Sequence, residues 1–270
     1  MTRIHKPILD RISEALENDP RVVAAWLEGS IARGEDDDFS DIDLWISVKD
    51  RGFRPFVEER EEFAQKLGTS LSVLYPKTQD QDDEIDSFQI ILEEQPLTLT
   101  IDVDVQKQSR AFKFTKGSAA EECQVLFDKA KIVTYKELDE ADVEQYILEL
   151  FNDVSLRFWH KFTKVIALQR RDDLAEAIAQ YWERLGELVM LYRIQYTPEK
   201  VDWGFKDLAY DLPEDAVVVI ERLLPNPHSR KFERQLSGLA KAFVKQSKKV
   251  ATQLGVKLPK ELMSHVMREI

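Results

Sequence analysis

Two aspartates one residue apart, Asp41-Ile42-Asp43, close a polar loop that follows a glycine-serine pair, Gly29-Ser30. Side chains alternate faces along a strand, so Asp41 and Asp43 point the same way while Ile42 and Leu44 turn toward a core. Two carboxylates so placed repel each other unless a cation lies between them. Hard divalent ions such as Mg²⁺ take oxygen ligands of this kind and keep places for water and substrate phosphates. Glycine lets backbone N–H groups approach a phosphate closely, Ser30 adds a hydroxyl, and a helix beginning there aims its positive end at the same spot. These residue types suit metal-assisted handling of a phosphate. The competing interpretation is an acidic hairpin, because Glu35-Asp36-Asp37-Asp38 makes the loop acid-rich anyway. Solvated loop acids, however, need not alternate with Ile42, Leu44 and Ile46.

The most regular alternation in the chain lies further on, in Leu97-Thr98-Leu99-Thr100-Ile101-Asp102-Val103-Asp104-Val105. The apolar residues share one face and Thr98, Thr100, Asp102 and Asp104 the other, as in a half-buried strand. That puts two more carboxylates on one edge, although solvent-facing aspartates also protect edge strands from aggregation.

The elements that must position these groups follow from periodicity. Ile4, Ile8, Leu9, Ile12 and Leu16 form a helical stripe that Asn18-Asp19-Pro20 stops. Val22–Leu27 and Ile42–Val48 read as strands, Pro55–Leu67 as a helix ended by Gly68, and Ser70–Pro76 and Phe88–Leu92 as strands separated by a polar, acidic loop over Gln79–Asp86. After Lys131 the alternation stops. From Glu137 the chain reads as helical, with breaks near Asp172-Asp173, Thr197-Pro198 and Pro225-Asn226-Pro227 and further helices over Pro213–Leu224, Phe232–Leu254 and Pro259–Ile270. The expected architecture is α+β, with a mixed-sheet domain over residues 1–132 followed by a helical bundle over 133–270. There is no flexible linker, internal repeat or low-complexity tract.

Composition narrows the function classes. The 270 residues are 43% hydrophobic and 33% charged, as in an ordinary globular protein. A net charge of −12 disfavours a nucleic-acid partner, which needs clustered Lys and Arg, and suits a cationic small substrate better. Residues 226–270 reverse the sign, with Arg230, Lys231, Arg234, Lys241 and others against Glu233, Glu261 and Glu269. Solvated helix faces account for this, and a docking surface for a phosphate-bearing partner is the sharper alternative. Cys123 is the single cysteine, which excludes an intrachain disulfide or a thiolate metal cluster, and it reads as a small buried residue. No apolar run spans a bilayer, and Met1–Pro7 lacks the core of a signal peptide, so the expectation is a cytoplasmic protein without a membrane partner.

Gly29-Ser30 and Asp41-x-Asp43, in that order and each at the edge of an apolar run, resemble the signature of the nucleotidyltransferase superfamily, the DNA polymerase β-like fold. Gly29-Ser30-Ile31-Ala32-Arg33-Gly34 and Ser40-Asp41-Ile42-Asp43-Leu44 are most similar to the antibiotic-modifying branch, the aminoglycoside and lincosamide nucleotidyltransferases. Leu168–Ala177, Leu188–Tyr192 and Tyr196–Lys200 resemble the helical C-terminal domain of the two-domain members. The resemblance implies Mg²⁺-dependent transfer of a nucleoside monophosphate, AMP foremost, from a nucleoside triphosphate such as ATP to a hydroxyl of a small molecule. It further implies two Mg²⁺ ions, one held by Asp41 and Asp43 and a second shared by Asp102, with Asp104 the alternative third carboxylate. Gly29 and Ser30 would hold the β- and γ-phosphates, and Arg33 would either contact phosphate or be a solvated helix residue. A general base is expected from the helical half, where Glu144, Glu149, Asp153, Glu183 and Glu187 all qualify. Trp159, Tyr181, Trp182 and Tyr192 would line the acceptor pocket or, more simply, pack the core. A relative that modifies a protein partner, in the manner of an antitoxin, and a nucleotide-binding relative with a degenerate site are the alternatives. The oligomeric state stays open, a homodimer included.

Overall fold

The computed structural model describes residues 4–75, 83–110, 114–116, 122–226 and 232–270. The chain divides into two compact units, residues 1–138 and 139–270. The first is built on a mixed sheet of six strands, in the order β3-β4-β5-β2-β1-β7. These strands are β1 (Val22–Leu27), β2 (Ile42–Val48), β3 (Ser70–Leu74), β4 (Ile85–Leu92), β5 (Ile101–Lys107) and β7 (Gln124–Asp128). β2 and β5 run parallel at the centre, and the other neighbours pair antiparallel.

One face of the sheet carries the core. Ile42, Leu44, Ile46 and Val48 of β2 and Ile101, Val103 and Val105 of β5 are buried. With them in one cluster are Ile8, Leu9, Ile12 and Leu16 of α1 (His5–Glu17), Phe53, Phe56 and Val57 of α3 (Phe53–Glu58), and Phe63, Ala64 and Leu67 of α4 (Arg60–Leu67). Alternation then forces Asp43, Trp45, Asp102 and Asp104 onto the opposite face. That face has a smaller cluster of its own, in which Trp26 stacks on Trp45 at 5.9 Å and meets Phe114 edge-on at 5.8 Å.

The elements differ from the sequence expectation in four places. The alternating run over Leu97–Val105 becomes strand only from Ile101, because Pro96 opens a turn in which the Leu99 N–H bonds its carbonyl. Leu97 is left 74% exposed. The helix expected over Pro55–Leu67 begins at Phe53 and is split at Glu59, whose φ and ψ of −86° and 19° leave the helical region. Before the long helices, β8 (Tyr135–Glu137) pairs in parallel with β6 (Phe114–Lys116), so the chain is extended at Glu137, where helix was expected to begin. Asp139 then caps α5 (Glu140–Arg170), accepting from the Ala141 and Asp142 N–H groups. Of the expected acidic loop, residues 79–82 lie outside the described residues, and Ile85 and Asp86 belong to β4. The break at 225–227 is described only through Asn226, and the basic residues Arg230 and Lys231 also lie outside.

The second unit is helical. α5 and α6 (Leu174–Tyr196) form a hairpin whose turn holds Asp172 at φ 62°. α9 (Phe232–Leu254) packs on both, with Phe243 stacked against Phe158. α7 (Leu208–Asp211), α8 (Glu214–Arg222) and α10 (Lys260–Met267) complete it. Trp159, Tyr181 and Tyr192 lie in this core, whereas Trp182 is 45% exposed and stacks on Phe205. No helix of the described residues is long and apolar enough to cross a membrane.

A buried cation ties α6 to the segment after it. Arg193 donates from Nε to the Gly204 carbonyl at 2.8 Å, from Nη1 to Asp211 at 2.9 Å, and from Nη2 to the Lys206 carbonyl. Lys200 joins it on Asp211 at 2.6 Å. Burial alone would raise the Asp211 carboxyl, but the hydrogen bonds from Lys200 and Arg193 hold it below its ordinary value of 3.8. The contact therefore stabilises the fold above the ordinary carboxylate range and is lost as pH falls through the depressed value. Arg193→Met is expected to cost about 3 kcal/mol, because it strands two carbonyls and halves the pairing of a buried carboxylate. Urea unfolding should show that loss at neutral pH and a shallower acid limb below pH 4 than in the wild type.

Candidate active site

The site forms where β1 ends and β2 begins. The Glu28 N–H bonds the Asp43 carbonyl at 3.0 Å, so the chain leaves β1 directly beside Asp43. Gly29 follows with φ +65°, in the left-handed region that favours glycine. A Cβ at this position would lie 1.8 Å from Asp43 Oδ2. Glycine is thus required both by the backbone conformation and by the carboxylate lying against it.

Asp41 stands at the end of the loop entering β2, Asp43 lies within the strand, and Asp102 lies across from Asp43 in the parallel register of β2 and β5. Carboxylate oxygens of Asp41, Asp43 and Asp102 all fall within 4.8 Å of one another. The three expected metal ligands therefore meet. Asp104 sits one row on, opposite Trp45 and Ser87, and accepts a hydrogen bond from Ser87 Oγ. It shares the face but does not belong to the three-carboxylate group.

Burial pushes the Asp102 carboxyl above its ordinary value, the neighbouring Asp41 and Asp104 add to the rise, and a hydrogen bond from Gln89 opposes it. Burial likewise raises Asp104, against its bond from Ser87. Asp102 Oδ1 is buried with no hydrogen-bond partner among the described residues. A buried carboxylate oxygen left without a donor, beside two more carboxylates, fits a divalent cation bound by oxygen ligands. The donor set is that of a hard ion such as Mg²⁺.

The other expected residues surround this group. Gly29 and Ser30 open α2 (Gly29–Arg33), a helix of five residues ended by Gly34 at φ 71°. Ser30 accepts at its carbonyl from the Glu35 N–H. Arg33 is largely buried and donates from Nε to Glu35 at 2.7 Å, so it is held against its own loop and is not a solvated helix residue. Glu28, next to Gly29, accepts from the Trp26 indole at 3.0 Å. In the helical unit Glu187 is buried, accepting from Arg157 at 2.9 Å and from Arg184 at 2.7 Å. Asp153 pairs with Arg157, Glu183 with Arg184, and Glu149 accepts from Gln145. Cys123 is half-buried, with Sγ 3.2 Å from the Tyr135 hydroxyl.

A family model described as streptomycin adenylyltransferase matches residues 2–269. No curated protein matches the chain. Among solved structures the chain is similar to an aminoglycoside 6-adenyltransferase from Bacillus subtilis, at 16% identity and a TM-score of 0.38, covering 97% of this chain and 94% of that one. A nucleotidyltransferase-like protein from Exiguobacterium sibiricum is also similar, at 13% identity and a TM-score of 0.34, covering 99% and 80%.

Two substitutions test the geometry. Gly29→Ala is expected to destabilise by about 1–2 kcal/mol from the left-handed backbone alone. By pushing Asp43 aside it should also abolish any rise in melting temperature on adding Mg²⁺. Asp102→Asn removes one repelling charge, and its amide can donate to a neighbouring carboxylate. The metal-free variant should melt about 2 °C or more above the metal-free wild type and gain nothing from Mg²⁺, as read by calorimetry with and without chelator.

Proposed function

The chain belongs to the streptomycin adenylyltransferase family of nucleotidyltransferases, and from that premise we propose that it moves a nucleoside monophosphate, AMP foremost, from a triphosphate to a hydroxyl of a small antibiotic of the aminoglycoside or lincosamide type. The observation that carries the proposal is the convergence of Asp41, Asp43 and Asp102 within 4.8 Å, against a glycine that only the absence of a side chain permits.

In the reaction the acceptor oxygen bonds to the α-phosphorus as the bond to the bridging oxygen breaks. Pyrophosphate departs, and the hydroxyl proton is released. Positioning and neutralisation of charge are most of this task. Asp41, Asp43 and Asp102 would hold the divalent ions. Bound Mg²⁺ supplies neutralisation of the triphosphate and a lower pKa for the acceptor hydroxyl. Gly29 and Ser30 contribute main-chain N–H groups and a hydroxyl to the β- and γ-phosphates, with Arg33 close behind them in sequence. A net charge of −12 over the chain favours a cationic acceptor.

Asp43→Asn should lower transfer by at least about a hundredfold, since a divalent-ion ligand is removed. The variant should keep the wild-type circular dichroism spectrum. The assay is transfer of label from α-labelled ATP, with Mg²⁺, to a panel of aminoglycosides and lincosamides. Label on none of them, or on protein instead, would refute a small-antibiotic acceptor, and full activity of Asp43→Asn would refute the metal assignment.

A further inference from the structure

The buried stripe of α1 contains one residue that is not apolar. His5, at the first position of the helix, is 0% exposed among Ile8, Leu9, Ile12 and Leu16. Its Nε2 lies 2.9 Å from the Ser40 carbonyl, and a carbonyl only accepts, so this nitrogen carries the hydrogen. Its Nδ1 lies 3.4 Å from Asp36 Oδ2, a side chain that is also 0% exposed. The imidazole is thus hydrogen-bonded to one point of the loop between α2 and β2 and lies against a second.

That loop ends at Asp41. Within it the Ser40 N–H bonds the Asp37 carbonyl at 3.2 Å, the Asp37 N–H bonds Ser40 Oγ at 2.9 Å, and the Phe39 N–H bonds Asp37 Oδ1 at 2.9 Å. Beyond Asp41 the Ile42 N–H joins the sheet through the Thr100 carbonyl at 2.9 Å. Asp43 and Asp102 need no such help, because the β2–β5 ladder fixes them directly. Asp41 alone of the three precedes its strand, so it lies between Ile42, which the sheet anchors, and Ser40, whose carbonyl accepts from His5.

We infer that His5 is a positioning residue for Asp41, holding the acidic loop so that this carboxylate stays with Asp43 and Asp102 as a divalent-ion ligand. The inference rests on the metal reading above. A histidine that merely fills the core would change stability when replaced and leave ion affinity alone. A group that orients a metal ligand changes affinity by tenfold or more.

The test is binding of Mn²⁺ to the full chain without nucleotide, by isothermal titration calorimetry, alongside melting temperatures. His5→Leu keeps an apolar side chain in the stripe and removes both contacts, and it should bind Mn²⁺ about tenfold more weakly than the wild type. His5→Gln keeps an N–H donor for the Ser40 carbonyl and should recover to within about threefold of the wild type. Asp43→Asn should not bind Mn²⁺ at all. Wild-type affinity in His5→Leu overturns the inference, and so does a His5→Gln variant no tighter than His5→Leu. Retained binding in Asp43→Asn would instead refute the metal reading itself.

Discussion

Three carboxylates that repel one another are the constraint around which the first unit is arranged. At separations up to 4.8 Å each pair of full charges costs on the order of 3 kcal/mol in an effective dielectric near 20. No local propensity would assemble such a group, so the sheet must impose it. The parallel pairing of β2 with β5 sets Asp43 opposite Asp102, and seven residues of matched register hold that pairing. The opposite face supplies the free energy, because every second residue of both strands is buried against α1, α3 and α4. A slip of one residue would turn the carboxylates into the core and the isoleucines and valines into solvent. Burial on one face thus dictates electrostatics on the other.

The same period-two logic explains what was legible in the sequence. Asp41-Ile42-Asp43-Leu44 and Ile101-Asp102-Val103-Asp104 announce both their faces and their shared side, and the structure brings the two segments together. Choosing between Asp102 and Asp104 required the register, which periodicity does not contain. Only the pairing shows that Asp102 faces Asp43 while Asp104 faces Trp45 and Ser87. Alternation over-called the strand at Leu97, since the pattern persists through a turn that Pro96 begins. The pairing of Phe114–Lys116 with Tyr135–Glu137 was hidden because segments of three residues have no measurable period. Glu28 and His5 were hidden for another reason. A lone glutamate after a strand and a lone histidine on an apolar stripe look like ordinary residues until their partners are known.

In the helical unit the charges that might have served chemistry are largely spoken for. Glu187 stays buried because each of its oxygens accepts from a different arginine, and Asp211 because Arg193 and Lys200 share it. Burial still pushes the Glu187 carboxyl up, in spite of the lowering from Arg157 and Arg184. Such pairs fix the mutual position of helices more than they add stability. The aromatic residues divide in the same way, with Trp159, Tyr181 and Tyr192 closing the core and Trp182 meeting solvent over Phe205. The basic residues Arg234, Lys241, Lys245, Lys248 and Lys249 line the exposed face of α9.

The metal-free and metal-bound proteins should then differ more than a surface site would make them. Leaving one buried carboxylate oxygen without a donor costs about 1–3 kcal/mol, to which the mutual repulsion adds. An ion binding only the folded state returns about 2.7 kcal/mol when present at a hundred times its dissociation constant. A bound ion would therefore offset part of the deficit that this arrangement carries. Gly29 and His5 act on the same balance from different sides. The glycine lets Asp43 approach without a clash, and the histidine bonds the Ser40 carbonyl next to Asp41. A site held ready in this way would give up folding stability to avoid reorganising on ion binding, the exchange that preorganised electrostatics requires.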